Sequence, residues 1–143
     1  DDDDTQKFVI AECCNPIPGD NITGYRDPVS GTIVVHKTDC KELIRLGSRN
    51  GENLVSNIKW SSYKAESYLT EVEVRGLDRV GVLRDLMQVI TVELNINIRE
   101  LQIQSHDGIF EGKISLYVTD TQNLGALIDK VKSIKGIDKV QRI

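Results

Sequence analysis

The chain has 143 residues, 39% hydrophobic and 28% charged, which leaves room for one domain or two small ones and suits a soluble globular protein rather than a disordered one. No apolar run approaches the roughly 18 residues of a membrane span, and no basic-then-apolar leader opens the sequence, so neither a membrane anchor nor secretion is expected. The net charge is −4, and Asp1 to Asp4 alone supply it; the balanced remainder argues against a protein that coats nucleic acid through a broad basic surface.

In chain order, residues 1–6 read as an acidic tail or linker. Residues 7–60 are expected to form a small α+β module. Phe8, Val9 and Ile10 make a short strand running into the adjacent pair Cys13-Cys14. Pro16, Pro18 and Gly19-Asp20 then force turns. A strand at Thr32 to Val35 follows. TDCKELIRLG reads as a short helix capped by Thr38 or Asp39 and stopped at Gly47. Leu54 to Trp60 closes the module as a further strand. Residues 61–67, SSYKAES, are small and polar and read as a linker.

Residues 68–143 show cleaner periodicity. Thr70, Val72 and Val74 alternate with charged residues as in a half-buried strand. Val82, Leu83, Leu86, Val89, Ile90 and Leu94 fall on one helical face, with Asp78 in the N-cap place. Strand character returns at Ile96 and Ile98, then at Leu101 and Ile103. The phase slip between those pairs predicts a bulge or a late strand start. Asp107-Gly108 is a hairpin signal, and Ile114, Leu116 and Val118 make the next strand. A second helix through Leu124, Leu127, Ile128 and Val131 precedes a last strand at Ile137 to Ile143. The order βαββαβ predicts a ferredoxin-like sandwich, whose exposed sheet edges favour oligomerisation.

Three cysteines are an odd count, which argues against a secreted disulfide framework and for a reducing compartment. His36 and Cys40 follow the strand after the Cys13-Cys14 pair, so the four could make a closed Cys₃His zinc set. Adjacent strand side chains point to opposite faces, so both thiols reach one ion only if the backbone bends there. Two other readings stay open: packed thiols with a histidine satisfied by a carbonyl, and a catalytic Cys–His pair oriented by Asp39. Gly81, beside the helix start, either admits a small anionic or zwitterionic ligand to free amides or relieves crowding against a strand. Lys41 and Arg45, four apart on the short helix and flanked by Lys37 and Arg49, could face one phosphate backbone.

CCNPIPGDNITGY followed by IVVHKTDC resembles the conserved-cysteine, zinc-finger-like module of the RelA/SpoT (p)ppGpp synthetase/hydrolases. LDRVGVLRDLMQVITVELNINI resembles the ACT domain that follows it in those proteins. The resemblance implies a non-catalytic regulatory region of a GTP pyrophosphokinase and/or (p)ppGpp 3'-pyrophosphohydrolase of the stringent response. It would relay a signal from the ribosome and uncharged tRNA to catalytic domains N-terminal to it, in the cytoplasm. The metal set it implies is Cys13, Cys14, His36 and Cys40, with zinc as the ion. Lys37, Lys41, Arg45 and Arg49 would be the RNA contacts. The alternative it implies is an amino-acid sensor for branched-chain ligands, bound between paired ACT domains of a homodimer. That site would be Asp78, Arg79, Val80, Gly81, Val82 and Leu83, with Asn95, Ile96, Asn97 and Ile98 from a partner strand. RDPVSGTIVVH departs from the glycine-arginine-glycine-like turn of many members, for Asp27, Pro28 and Ser30 stand there and the extra base is missing.

Overall fold

The computed structural model describes residues 7–60 and 66–143. The expected acidic tail at 1–6 and most of the expected linker, 61–65, lie outside the described residues. The chain divides into two compact units, Asp1–Glu66 and Ser67–Ile143, each α+β with its own four-stranded sheet.

In the first unit, β1 (Phe8–Ile10), β2 (Ile22–Arg26), β3 (Ile33–Lys37) and β4 (Leu54–Val55) form a mixed sheet in the order β1-β3-β2-β4. β1 runs parallel to β3, and β2 pairs antiparallel with both β3 and β4. The strand β2 was not foreseen: ITGYR lies among turn-formers, and pairing with β3 overrides its weak local propensity. Its Gly24 leaves space that a side chain would fill, since a Cβ there would sit 2.2 Å from Ile58 Cδ1. That packing also explains why the strand expected through Trp60 stops at Val55. Ile58 turns inward over the sheet, and Trp60 Nε1 donates to the Asp20 carbonyl at 3.1 Å.

The short helix α1 (Lys41–Arg49) differs from expectation at both ends. Cys40, not Thr38 or Asp39, holds the N-cap position. Gly47 does not stop the helix; it lies inside, where a Cβ would come within 2.9 Å of Leu54 Cδ1. The glycine is thus a packing concession to Leu54, and the Asn50 amide closes the helix on the Leu46 carbonyl at 3.0 Å.

The second unit has the expected βαββαβ order. β5 (Tyr68–Leu77), β6 (Ile98–His106), β7 (Ile109–Val118) and β8 (Ile137–Arg142) stand as β6-β7-β5-β8, all antiparallel. Tyr68, Thr70, Val72 and Val74 are buried in alternation along β5. Leu86 and Ile90 from the first helical segment, and Leu124, Leu127 and Val131 from α3 (Thr121–Lys132), join them in the core. Asp120 caps α3, accepting from the Asn123 amide at 2.8 Å. The expected phase slip is a register shift between Ile98 and Glu100. Asp107 and Gly108 both take positive φ, as the tight hairpin needs.

Two expectations for the first helical segment are corrected. α2 (Val82–Met87) begins one turn later than foreseen, with Gly81 as N-cap, and Asp78 instead donates its amide to the Gly108 carbonyl at 2.9 Å. The segment continues as a π-helix over Gln88–Glu93. Val89 and Ile90 in that segment are buried, whereas Leu83, in α2 before it, is exposed.

Candidate metal centre

Topology brings the four metal-type residues together. Because β1 and β3 are parallel, with Ile10 opposite Val35, both strands end at the same edge of the sheet. The Ala11 amide extends the ladder to the Val35 carbonyl at 2.9 Å. Cys13 and Cys14 follow at the end of β1, His36 ends the inward run of β3, and Cys40 opens α1.

The bend that adjacent thiols need is present. Residues 12–14 form a turn in which the Asn15 amide returns to the Ala11 carbonyl at 3.0 Å, with Asn15 at φ 44°. Strand alternation therefore does not apply to Cys13 and Cys14. The four ligand atoms all lie within 4.8 Å of one another. Cys13 Sγ is 3.4 Å from His36 Nδ1 and 3.6 Å from Cys40 Sγ, and Cys14 Sγ is 4.0 Å from His36 Nδ1. A tetrahedron built on metal–sulfur bonds of about 2.3 Å and metal–nitrogen bonds of about 2.0 Å has edges of about 3.5–3.8 Å, close to the two Cys13 distances and slightly shorter than that from Cys14 to His36. The cluster can coordinate a metal ion.

The four groups differ in their electrostatic surroundings. Burial pushes the Cys14 thiol up to about 12. Cys13 is raised too, by desolvation and by its hydrogen bond to Cys40. Burial acts the same way on Cys40, but the helix-start amide of Leu43, the two neighbouring thiols and the Glu42 amide outweigh it and lower Cys40. His36 is 4% exposed and its pKa is lowered by burial against the pull of Glu42, so its ring is neutral and able to ligate. The Lys37 amide donates to Cys14 Sγ at 3.3 Å, an outer hydrogen bond that sequence spacing did not reveal. Asp39 is exposed, and the carboxylate that acts on His36 is Glu42, so the arrangement is not the Cys–His–Asp39 relay considered above.

The other predicted residues separate into three places. Lys41, Arg45 and Arg49 recur every four residues along α1, all exposed, with Arg45 paired to Glu42. Lys37 is not in that row; it borders a cavity of about 430 Å³ with Asn21, Thr38 and Asp39. In the second unit, Asp78 to Leu83 lie where β5 ends. Gly81 adopts φ 87°, and only Arg79 Nη1, at 3.7 Å, would neighbour a Cβ there. The glycine therefore serves a left-handed turn and not the relief of a crowded strand. Arg79 is engaged within the unit, donating to the Lys135 carbonyl at 2.9 Å and pairing with Asp85 at 2.8 Å. Val80 is fully exposed beside it.

Asn95, Ile96, Asn97 and Ile98 lie at the opposite end of the same sheet. Ile98 pairs with Leu116, whereas Leu77 pairs with Ile109, a separation of about 20 Å along the strands. One copy alone does not bring the two halves of that predicted site together. Asn95 to Asn97 instead border a cavity of about 440 Å³ with Tyr117, Thr119 and Asn123.

Residues 64–142, more than half of the chain, match the ACT domain family. The chain belongs to that family. Residues 2–61 match the RelA/SpoT RIS domain, so the chain carries a RelA/SpoT-type RIS domain followed by an ACT domain. It is 30% identical over 135 residues to a GTP pyrophosphokinase of Streptomyces coelicolor, covering 94% of this chain and 16% of the relative. It is 29% identical over 136 residues to the bifunctional (p)ppGpp synthase/hydrolase SpoT of Escherichia coli, covering 94% of this chain and 19% of the relative. The chain therefore spans less than a fifth of these curated relatives. Among solved structures, the ACT domain from a GTP pyrophosphokinase of Chlorobium tepidum matches with a TM-score of 0.50 and 28% identity, over 54% of this chain and 99% of that one. The regions matched here are the RIS and ACT domains. Among the described residues, no helix is long and apolar enough to cross a membrane.

Proposed function

We propose that this RIS–ACT chain is the regulatory region of a cytoplasmic stringent-response enzyme, a GTP pyrophosphokinase, a (p)ppGpp 3'-pyrophosphohydrolase or both. It relays a starvation signal from the ribosome and uncharged tRNA to catalytic domains of the same protein. The observation that carries this reading is the succession, in one chain, of a RIS match holding a Cys₃His cluster and an ACT match. The resident ion is zinc, held by Cys13, Cys14, His36 and Cys40. When bound, it supplies a cross-link and no reaction chemistry, because all four positions are filled by protein. It ties the Cys13-Cys14 turn to the start of α1, and so holds Lys41, Arg45 and Arg49 in a row facing the RNA backbone. Co-sedimentation with ribosomes tests this. Binding should rise when uncharged tRNA occupies the ribosome and fall in Lys41→Glu/Arg45→Glu. Equal sedimentation of variant and parent would remove the RNA role.

A second reading is favoured by the Gly81 turn with the exposed Val80. Here a branched-chain amino acid sits at Asp78 to Leu83 against Asn95 to Ile98 of a second copy, joined through the ACT sheet. The separation of those two segments within one copy supports a site shared between two. Titration with valine or isoleucine should shift the Gly81 amide resonance. An unmoved resonance at millimolar ligand removes the reading.

A further inference from the structure

The sulfurs of the cluster differ in access and in partners. Cys13 is exposed, whereas Cys40 is buried, and their Sγ atoms lie 3.6 Å apart across 27 residues of chain. Cys14 is placed differently: its Sγ accepts the Lys37 amide at 3.3 Å, and a bridge to its neighbour Cys13 would strain the disulfide torsions. We propose that Cys13 and Cys40 form an oxidation site for peroxides, and that their disulfide withdraws two of the four metal ligands at once.

The chemistry balances with hydrogen peroxide as the oxidant. The Cys13 thiolate attacks one peroxide oxygen, the O–O bond breaks, and hydroxide leaves a sulfenic acid on Cys13. The Cys40 thiolate then attacks the Cys13 sulfur. The S–S bond forms as the S–O bond breaks, and a second hydroxide departs. Two thiolates lose two electrons, and the peroxide takes them up. The sulfurs must close from 3.6 Å to about 2.05 Å, a movement carried by the exposed turn that holds Cys13. Cys14 and His36 alone are too few ligands for a closed structural site, so the cation passes to water. The turn and the start of α1 remain joined, now covalently. The release step rests on the zinc reading above; the pairing of the sulfurs does not.

The test uses the whole chain, purified under reducing conditions without chelator and then treated with hydrogen peroxide. Remaining thiols are alkylated, and the chain is cut by trypsin without reduction. Peptide 8–26, which carries Cys13 and Cys14, should emerge joined to peptide 38–41, which carries Cys40. Fragmentation between Cys13 and Cys14 should place the bridge on Cys13 and the alkyl group on Cys14. A chromogenic chelator should report one zinc released per bridge formed. Cys14→Ser should still form the bridge, and Cys13→Ser should lose it. A bridge at Cys14, or three alkylated thiols after peroxide, overturns the proposal. A bridge formed in a chain that held no metal leaves the pairing standing and removes the zinc reading. Metal retained after bridging overturns the release step.

Discussion

The two units cover a four-stranded sheet by different means. In Ser67–Ile143 the long strand β5 alternates cleanly, and among the described residues ten of the twelve largest fully buried side chains belong to this unit. The first unit contributes only Ile17 and Val35 to that set, and its strands are two to five residues long. Where the second unit packs Phe110, Leu86 and Leu127, the first gathers three thiols and an imidazole. A small domain buries little apolar surface, and the proposed metal cross-link is the kind of staple such domains use. On the proposed reading the first unit's stability is conditional on an ion and on the redox state of its sulfurs, whereas the second unit has the larger apolar core.

The sharpest way to break this comparison is to remove the ion. Chelation, or Cys40→Ser, should unfold the first unit and leave the second intact, because structural zinc contributes on the order of 10–16 kcal/mol of apparent binding energy in small peptides. Amide exchange resolved by residue would show protection lost from β1 to β4 only; equal loss in both units would defeat the contrast.

The reverse experiment is Leu127→Ala in the second unit. Leu127 is fully buried, so its truncation should cost about 2–5 kcal/mol. Denaturant unfolding of the second unit should report that loss while metal content stays unchanged.

A smaller effect is expected at the turn before α2. Gly81→Ala places a Cβ at φ 87° in open space, so the penalty is conformational, about 1–2 kcal/mol, and the thermal midpoint of the second unit should fall accordingly. An unchanged midpoint would mean that the turn re-forms without a left-handed residue.

The smallest effect concerns acid. Hydrogen bonding to Arg79 holds the Asp85 carboxylate below its ordinary 3.8. A lowered folded value means the unfolded chain binds the proton more readily. The contribution is therefore fully present above about pH 4 and fades as pH falls through the folded value. Asp85→Asn should lower stability slightly at pH 7 and flatten the acid limb, so that the variant and parent profiles converge as pH falls below the ordinary carboxylate range.

Legibility differed between the units for the same reason that their stabilities do. Val72 and Val74, Ile114 and Leu116, and Leu124 and Leu127 repeat at strand and helix periods, so the second unit's order could be read directly. In the first unit β2 was invisible, because Thr23, Gly24 and Arg26 carry no alternating pattern and are held by neighbours. The same holds for the late start of α2. Asp78 has the chemistry of a cap, but the hairpin carbonyl of Gly108 claims its amide.

Residue identity and spacing by themselves determined the kinds of donor, two adjacent thiols and then His-x-x-x-Cys, and the βαββαβ order, since both depend on local chemistry and short-range period. Only the tertiary structure decided that the donors meet. Parallel pairing of β1 with β3 puts two strand ends at one edge, and a turn from Ala11 to Asn15 points adjacent cysteines the same way. Strand pairing between residues more than twenty positions apart is set by the collective packing of the sheet, and no local window of sequence contains it.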